Sequence, residues 1–334
     1  MSAPWKAACA SVQGRAHQKS GIPCQDKCLY KRQGRLTVLC AADGAGSAPL
    51  SHEGAQTAVE SAADLVLQHF KDITADPKQG AQLVLTEVKK ALQARSAELH
   101  CALSSLACTL LIAAADGRHF LLWQLGDGIC ALLRRGVLEL ALHPYNGEFV
   151  NETVFTTSEN AAMLLQWRCG QCDGVQGMVL LTDGAAHSLY QKASGRFAPA
   201  LLKALRLLML YPCAQVSSVL AQALLPQVAA KTADDCSAAL MCTLSPQLIK
   251  FQDLSPAELS VLLSGDGDGP GEEHLPAREF KRQLKILQLL DRPRSAVELS
   301  ALLGLKESAV QARLLRLMER GLVTNAEGGL QRTF

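Results

Sequence analysis

Three apolar stretches of this chain each end in an aspartate beside a glycine, and this recurrence limits the possible folds more than any other sequence feature. The stretches are LCAADG at 39–44, LWQLGDG at 122–128 and LLTDG at 180–184. Apolar runs of this length are typical of buried strands, and glycine lets the backbone turn sharply where a strand emerges. A single Asp-Gly pair is explained equally well as a turn former. Three of them together predict carboxylates at the ends of several strands.

Two further acidic points lie beside predicted strands. KTADDCSAALMC at 231–242 has an Asp-Asp pair before an apolar run, and PCQDKCLY at 23–30 contains Asp26. Carboxylates that converge in a cleft of low dielectric repel one another, and a hard divalent cation commonly relieves that repulsion. Sites with oxygen ligands alone favour Mg²⁺ or Mn²⁺ over zinc. The residues therefore predict an oxygen-lined metal site.

The order of the predicted elements indicates the fold class. A strand ending at Asp43 precedes two predicted helices, over 52–70 and 79–100. The apolar face of the first helix is formed by Ala58, Val59, Ala62, Val66 and Phe70. Short strands follow within 107–142 and at 177–184, then a helical region over 199–227 and a closing strand from Cys236. We expect an α+β fold, an antiparallel β-sandwich flanked by helices.

Composition suggests a domain boundary and excludes some protein classes. SGDGDGPGEEHLP at 264–276 has the composition of a flexible linker, so we assign residues 1–250 to a main domain, 251–275 to a linker and 276–334 to a small second domain. No apolar stretch approaches the roughly 20 residues that span a bilayer, and no secretory signal is apparent. Twelve cysteines scattered through apolar runs fit a reducing compartment. We expect a cytoplasmic protein without membrane contact.

Taken in order, the motifs resemble those of a known family. They are CQD (24–26), AADGAGSA (41–48), ACTLL (107–111), LGDG (125–128), LLTDGAAHSL (180–189) and DDCSAALM (234–241). Their order and spacing are similar to the motif series of metal-dependent PPM-type (type 2C) protein serine/threonine phosphatases. GRAHQKSGIPCQD at 14–26 looks most like the bacterial branch. The resemblance covers about residues 8–244 and implies a type 2C phosphatase fold for the main domain.

The resemblance also implies a metal ligand set. Asp43 would bridge two Mn²⁺ or Mg²⁺ ions, with the Gly44 carbonyl on one of them. Asp183 and Asp234 would complete the other ion. Asp127, together with Asp183, would hold a third and looser ion.

Two more positions receive roles from the resemblance, and some positions depart from the family pattern. Asp26 would support the second ion, and Thr109 matches a small hydroxyl residue beneath the metal cluster. Gln25 replaces an acidic residue, and Ala45 stands where many animal members carry a histidine. The usual phosphate-binding arginine is missing from HQKSGIP at 17–23. Candidates to replace it are His17, Arg15 and Lys19; we favour His17, with an ordinary surface histidine as the alternative.

These roles imply a reaction and a substrate class. The chain would hydrolyse phosphoserine and phosphothreonine in proteins, using a water activated between two divalent metals. Its phosphoprotein substrate would be the target of a partner Ser/Thr kinase. The alternative is a catalytically weak or dead relative that acts as a signalling and binding module. The acidic ligands that are present favour an active enzyme, whereas Gln25 and the missing arginine are consistent with a binding module.

The last segment carries a separate pattern. A first helix is predicted over 278–290. An S-x-x-E capping box that begins at Ser295 opens a second helix. A third helix is predicted over 307–320, and two short strands follow it. This arrangement is similar to the winged helix that ends bacterial DNA-processing protein A. The segment 276–334 holds 11 Lys/Arg against 6 Asp/Glu. Candidate DNA contacts lie on its third helix, at Arg313, Arg316 and Arg320. We favour protein or intramolecular docking over DNA binding, because this charge excess is modest.

Overall fold

Two antiparallel sheets form the centre of the protein. The structure is a computed structural model that describes residues 4–143, 153–264 and 275–334. The strands of this part of the chain are β1 (Lys6–Val12), β2 (Lys27–Gln33), β3 (Leu36–Ala42), β4 (Leu110–Ala115), β5 (His119–Leu125), β6 (Ile129–Arg134), β7 (Val137–Leu142), β8 (Gln166–Gln171), β9 (Val175–Leu181), β10 (Tyr190–Gln191), β11 (Arg196–Phe197) and β12 (Cys236–Cys242). One sheet has the order β1-β12-β9-β6-β7 and the other β2-β3-β4-β5-β8, while β10 and β11 form a separate short hairpin.

Helices cover the outer faces of both sheets. They are α1 (Arg15–Ser20), α2 (Ser51–Ala75), α3 (Pro77–Glu98), α4 (Ala161–Leu164), α5 (Asp183–Leu189), α6 (Pro199–Leu210), α7 (Cys213–Val219), α8 (Leu225–Ala229) and α9 (Pro256–Ser264). One apolar cluster joins α2 and α3 to the sheet that contains β3. Another joins α6, α7 and α8 to the sheet that contains β12. The result is the predicted sandwich with helices outside it.

The alternation of side chains along β3 shows why the sandwich forms. Leu39 and Ala41 belong to the apolar cluster between the two sheets, whereas Val38, Cys40 and Ala42 belong to the cluster beneath α2 and α3. Successive side chains of a strand point to opposite faces. Because both faces of β3 are covered, the strand is apolar from Val38 to Ala42 rather than alternating with polar residues.

The predicted helix pair is confirmed; the first helix is longer than predicted, and the second begins and ends two residues earlier. The structure has α2 at Ser51–Ala75 and α3 at Pro77–Glu98, and every residue of the predicted apolar face of α2 is buried. Asp76 separates the two helices and caps α3 by accepting a hydrogen bond from the Gln79 amide at 3.1 Å. None of the helices in the described ranges is long and apolar enough to cross a membrane.

Three strands of the two large sheets, and the short hairpin of β10 and β11, escaped the sequence prediction. β2 and β8 are edge strands whose side chains are half-buried or exposed, so neither contains the apolar run that marks an inner strand. β1 is rich in alanine, cysteine and serine, and alanine has little intrinsic preference for strands. β1 and β8 are stabilised by pairing with strands that are distant in the sequence, β12 and β5, and local sequence does not report such pairing. β2 instead pairs with the next strand, β3, across a short turn.

The predicted linker over 251–275 is wrong in its first half. Residues 256–264 form α9, whose Leu259 and Leu263 are buried. The helix packs against α6 of the sandwich and against α10 (Ala277–Leu289) of the last segment. Its apolar side chains are covered from both sides, and the linker prediction overlooked this stretch because of the Gly-rich run after it. Residues 265–274, most of the predicted linker motif, lie outside the described residues.

The last segment contains the predicted three helices and hairpin. After α10 come α11 (Ala296–Leu303), α12 (Glu307–Glu319) and the paired strands β13 (Val323–Ala326) and β14 (Gly329–Arg332). The capping box is confirmed, because the Ser295 hydroxyl accepts from the Glu298 amide at 3.2 Å and the Glu298 carboxylate accepts from the Ser295 amide at 2.7 Å. Such caps stabilise the first turn of a helix by satisfying its unpaired amides.

Candidate metal centre

Four of the predicted metal ligands lie at strand ends. Asp43 directly follows β3, Asp183 comes two residues after β9, and Asp234 comes two residues before β12, while Asp127 lies in the turn between β5 and β6. The carboxyl of Asp43 interacts with those of Asp183 and Asp234, and Asp183 also interacts with Asp127. The two sheets therefore bring these carboxyl groups together at one rim of the sandwich, and all four are half-buried.

Thr109 fixes the backbone that carries Asp43. Its hydroxyl accepts a hydrogen bond from the Asp43 amide at 2.9 Å, and its own amide donates to the Asp43 carbonyl at 2.8 Å. Thr109 is buried, so these contacts are shielded from water. This pair of bonds continues the pairing of β3 with β4 by one residue and holds the aspartate in a defined position.

The glycines after Asp43 and Asp183 allow close approach of other chain segments. A Cβ atom on Gly44 would lie 2.8 Å from the Ser51 side chain, and one on Gly184 would lie 2.1 Å from the carbonyl oxygen of Asp235. Real Cβ atoms do not come so close to a carbonyl oxygen. Glycine is required at these two positions by packing between segments rather than by a turn alone.

Two of the carboxylates are held by the backbone next to them. One oxygen of Asp183 accepts a hydrogen bond from the Gly184 amide at 2.6 Å. One oxygen of Asp234 accepts from the Asp235 amide at 2.9 Å. Since Asp183 is also the first residue of α5, its negative charge is favoured by the unpaired amides of the first helical turn. Both side chains are thus oriented before any ligand binds.

Asp26 is the deepest of the predicted ligands. It is 1% exposed, and its Oδ2 accepts a hydrogen bond from the Thr182 hydroxyl at 2.7 Å. Its Oδ1 is buried and finds no partner of normal hydrogen-bond geometry among the described residues. A buried carboxylate oxygen without a partner is costly, and this one lies beside the Asp43 carboxyl. The arrangement favours a bound cation or proton.

The pKa values of three carboxyl groups reflect this crowding. Burial raises the pKa of Asp26 from an ordinary 3.8 to about 7. Burial, followed by the charges of Asp234 and Asp127, raises the pKa of Asp183 to about 6. Burial and then the charges of its neighbours, Asp26 first, raise the pKa of Asp43 well above its ordinary value. Without a cation the cluster therefore retains protons near neutral pH, because negative charge is disfavoured there.

Asp127 is anchored from outside the strands. Its Oδ2 accepts a hydrogen bond from the Thr153 hydroxyl at 2.8 Å. Sequence analysis did not single out Thr153, because it lies 26 residues away and no motif marks it. Nowhere in the described ranges is a group of three His, Cys, Asp or Glu side chains arranged to hold a metal ion as it stands. The ligand roles of the acidic residues stay predictions.

Of the three candidates for the missing arginine, His17 has the contact nearest the cluster. Its Nδ1 lies 2.9 Å from Oδ2 of Asp235, and its side chain is 15% exposed. Arg15 and Lys19 are exposed, and Arg15 donates to the Thr232 carbonyl at 3.2 Å. The contact places the imidazole beside Asp235, which directly follows Asp234. This position supports His17, rather than Arg15 or Lys19, as the replacement for the phosphate-binding arginine.

Sequence analysis missed the part played by Asp235. The prediction treated it only as the neighbour of Asp234, yet it is buried and accepts hydrogen bonds from the amides of Gly14 and Gln25, both at 2.6 Å. Gln25, which replaces an acidic residue of the family pattern, is itself buried. No local signal could reveal these bonds, because more than 200 residues separate the partners.

Comparisons with known proteins agree on the family. A family model described as Protein phosphatase 2C matches residues 13–224, more than half of the chain. Serine/threonine-protein phosphatase 3 of Escherichia coli (strain K12) is 34% identical over 172 residues, which cover 48% of this chain and 66% of that protein. The chain thus spans just under two thirds of the length of this relative.

Solved structures share the fold. A bacterial serine phosphatase matches with a TM-score of 0.51 at 11% identity, covering 73% of this chain and 100% of that one. A C. elegans sex determining protein matches with a TM-score of 0.52 at 14% identity, covering 73% and 66%. At such low identity these two matches support the fold alone, while the family model supplies the assignment. The chain belongs to the protein phosphatase 2C family.

Proposed function

We propose that this chain is a metal-dependent protein serine/threonine phosphatase. The observation that carries the proposal is the convergence of Asp43, Asp183 and Asp234 at one rim of the sandwich, with Asp26 buried beside them. Asp26, Asp43 and Asp183 lie within residues 13–224, which the family model matches, and Asp234 lies shortly after them. A structural cluster of acids without a ligand would destabilise the fold through repulsion.

The donor set fits hard divalent cations. The converging groups are carboxylates, one Asp26 oxygen lacks a hydrogen-bond partner within the described part of the chain, and the raised pKa values indicate a site that favours positive charge. Oxygen donors of this kind favour Mn²⁺ or Mg²⁺. We assign Asp43, Asp183 and Asp234, with the Gly44 carbonyl, to the first two ions. Asp127 would contribute to a third.

Cations in this site would supply positive charge for the phosphate oxygens and activate a water for attack on phosphorus. The chain's own residues prepare the site for that chemistry. Thr109 holds Asp43 through two hydrogen bonds, and Thr182 holds one oxygen of Asp26. His17 would contact the phosphate from the side of Asp235. Such preorganisation lowers the cost of assembling the charged transition state.

The last segment supports a docking role for the proposed winged helix. Of the three predicted arginines, Arg313 pairs with Glu279 at 2.6 Å and Arg320 donates to the Ser264 carbonyl at 3.3 Å. Arg316 is exposed, and it shares the surface of α12 with Leu315, which is 51% exposed. A surface that mixes apolar and charged groups suits a protein partner better than a phosphate backbone.

Contacts at the end of the chain also favour intramolecular docking of this segment. The Arg332 guanidinium lies 4.6 Å from the centre of the Phe251 ring. The ring of Phe334 lies 6.1 Å from the same ring. A cation over an aromatic face and a tilted ring pair both stabilise such contacts. These contacts support the proposal that the last segment docks on residues 251–264 of the same chain.

For substrate and location, the proposal extends the family assignment. The substrate would be a protein phosphorylated on serine or threonine by a partner kinase. We place the chain in the cytoplasm, where its cysteines would stay reduced. Cys40, Cys108 and Cys130 are fully buried and pack as small apolar side chains, and burial raises the pKa of Cys108 to about 12.

One assay tests the proposal. Phosphate release from a phosphothreonine peptide would be measured with the full chain in Mn²⁺, in Mg²⁺ and in EDTA. We expect turnover only with added cation. The variant Asp43→Asn should abolish it, whereas Asp64→Asn, a change at an exposed residue that pairs with Lys31, should not. No release with either cation would favour the alternative of a catalytically weak or dead binding module.

A further inference from the structure

A single buried carboxylate fastens the N-terminal segment to the candidate site. Asp235 is 1% exposed. Its Oδ1 accepts a hydrogen bond from the Gly14 amide and its Oδ2 one from the Gln25 amide, each at 2.6 Å. The two donors lie at either end of the segment 14–25, which includes α1. Asp235 therefore ties both ends of this segment to the start of β12.

The same carboxylate contacts the histidine of that segment. Oδ2 of Asp235 lies 2.9 Å from Nδ1 of His17. The ring N–H is not aligned with this oxygen as a hydrogen bond requires, so the contact is mainly electrostatic. The Ala16 amide also donates to the Ala233 carbonyl at 3.0 Å, which seats α1 on the same stretch of chain. The backbone is thus held at Ala16, directly before His17, and the ring of His17 is held by its contact with Asp235.

The geometry of imidazole decides what this contact leaves available. The two ring nitrogens point in different directions, and a carboxylate at Nδ1 sets the orientation of Nε2. Asp235 directly follows Asp234, a proposed cation ligand, so the oriented ring lies next to the carboxylate cluster. An asparagine could not replace Asp235 in this role. It has one acceptor oxygen for two amide donors, and its own NH₂ group would face a donor.

We propose that Asp235 is a positioning residue that orients His17 toward the phosphate of the substrate. The inference rests on the proposed phosphatase function and deepens it. Asp235 acts through His17 and contacts neither the substrate nor a cation. Its two amide bonds keep the segment 14–25 in place, and its contact with Nδ1 turns the other ring nitrogen toward the site. Partners that orient a metal-ligating histidine typically contribute 10- to 100-fold to activity or affinity, and we expect a contribution of the same order from Asp235.

A double-mutant cycle on the full chain tests the proposal. The variants are Asp235→Asn, His17→Ala and the double variant, with Asp64→Asn as the matched control at an exposed aspartate. Turnover of a phosphothreonine peptide would be measured at saturating Mn²⁺, and Mn²⁺ affinity by electron paramagnetic resonance. We expect each single change to lower kcat/KM at least about tenfold. The double variant should lose no more than about threefold beyond the worse single variant, because residues acting as a unit are not additive.

Other outcomes overturn the inference in distinguishable ways. Losses that multiply in the double variant, or weaker Mn²⁺ binding in Asp235→Asn, would indicate a purely structural tie. Full activity of Asp235→Asn alongside an impaired His17→Ala would separate the two residues. Wild-type protein that releases no phosphate with Mn²⁺ would refute the proposed function itself, and this role with it.

A measurement on the wild-type protein covers the case in which Asp235→Asn does not fold. Nitrogen-15 NMR of the histidine rings reports which nitrogen carries the proton. A carboxylate at Nδ1 favours a proton there, so we expect the His17 ring to keep its Nδ1 proton when it is neutral. A His17 ring that is neutral with its proton on Nε2 would overturn the proposal without any variant.

Discussion

Removal of divalent cations should make the stability of this protein depend strongly on pH. The perturbation is treatment with EDTA at pH values from 5 to 7.5. From pH 5 to about 7 the unfolded chain has released the Asp26 proton, whereas the folded protein still holds it, since burial raises the pKa of Asp26 to about 7. A group that binds its proton more tightly in the folded state makes the free energy of unfolding fall as pH rises. The loss should begin near the ordinary value of 3.8 and level off above about 7.

The size of the effect follows from the same pair of values. Between pH 5 and about 7, the raised pKa of Asp26 corresponds to a loss of roughly 3 kcal/mol of unfolding free energy, because each pH unit between the two pKa values changes it by about 1.4 kcal/mol. For a domain of this size such a change lowers the melting temperature by on the order of 10 °C. Added Mn²⁺ should remove most of the dependence, because a cation replaces the proton as the partner of the carboxylates.

Thermal melting followed by circular dichroism measures this dependence in EDTA and in Mn²⁺. The variant Asp26→Asn cannot ionise at this position, while its side-chain oxygen can still accept the hydrogen bond from Thr182. Its melting temperature should therefore depend less on pH in EDTA than that of the wild type, and the remaining dependence should come from Asp43 and Asp183, whose pKa values are also raised. Asp64→Asn, at an exposed position, should behave like the wild type.

Two results would refute this reasoning. Wild-type protein in EDTA that is as stable at pH 7.5 as at pH 5 would mean that Asp26 does not hold a proton in the folded state. An Asp26→Asn variant with the same pH dependence as wild type would move the effect to other groups. In either case the crowding of carboxylates would not be the reason for cation binding.

Three further predictions concern single positions. Asp43→Asn should lower turnover at saturating Mn²⁺ more than Asp26→Asn, because it removes the charge nearest the centre of the cluster; equal losses of kcat would contradict this. Gly184→Ala should lower the free energy of unfolding by about 1–3 kcal/mol, since its Cβ would meet a carbonyl oxygen at 2.1 Å; unchanged denaturant unfolding would show that the contact relaxes. Arg313→Ala should destabilise the last segment by about 1–3 kcal/mol by leaving a half-buried carboxylate unpaired, whereas the exposed Arg316→Ala should stay within about 0.5 kcal/mol; similar melting of the two variants would argue against the ion pair.

The sequence alone determined the inner part of the fold and the rim of the site. Strands β3 and β9 are apolar from Val38 to Ala42 and from Met178 to Leu181 because both their faces are covered, and such runs are visible without a structure. The position of an aspartate at the end of a run is also a local feature, so Asp43 and Asp183 could be found from the sequence. The periodic apolar face of α2 was predicted for the same reason, since helical spacing repeats within a few residues.

The tertiary structure decided what no local pattern encodes. The edge strand β8 is held by pairing with β5, which is distant in the sequence, and α9 is stabilised by neighbours on both sides rather than by its own sequence. The contacts of Asp235 with Gly14, Gln25 and His17 join residues more than 200 positions apart. Hydrogen bonds and burial depend on which atoms the fold brings together. For that reason Asp235 looked like a mere neighbour of Asp234 in the sequence, and only the packing of the N-terminal segment against β12 gives it a role.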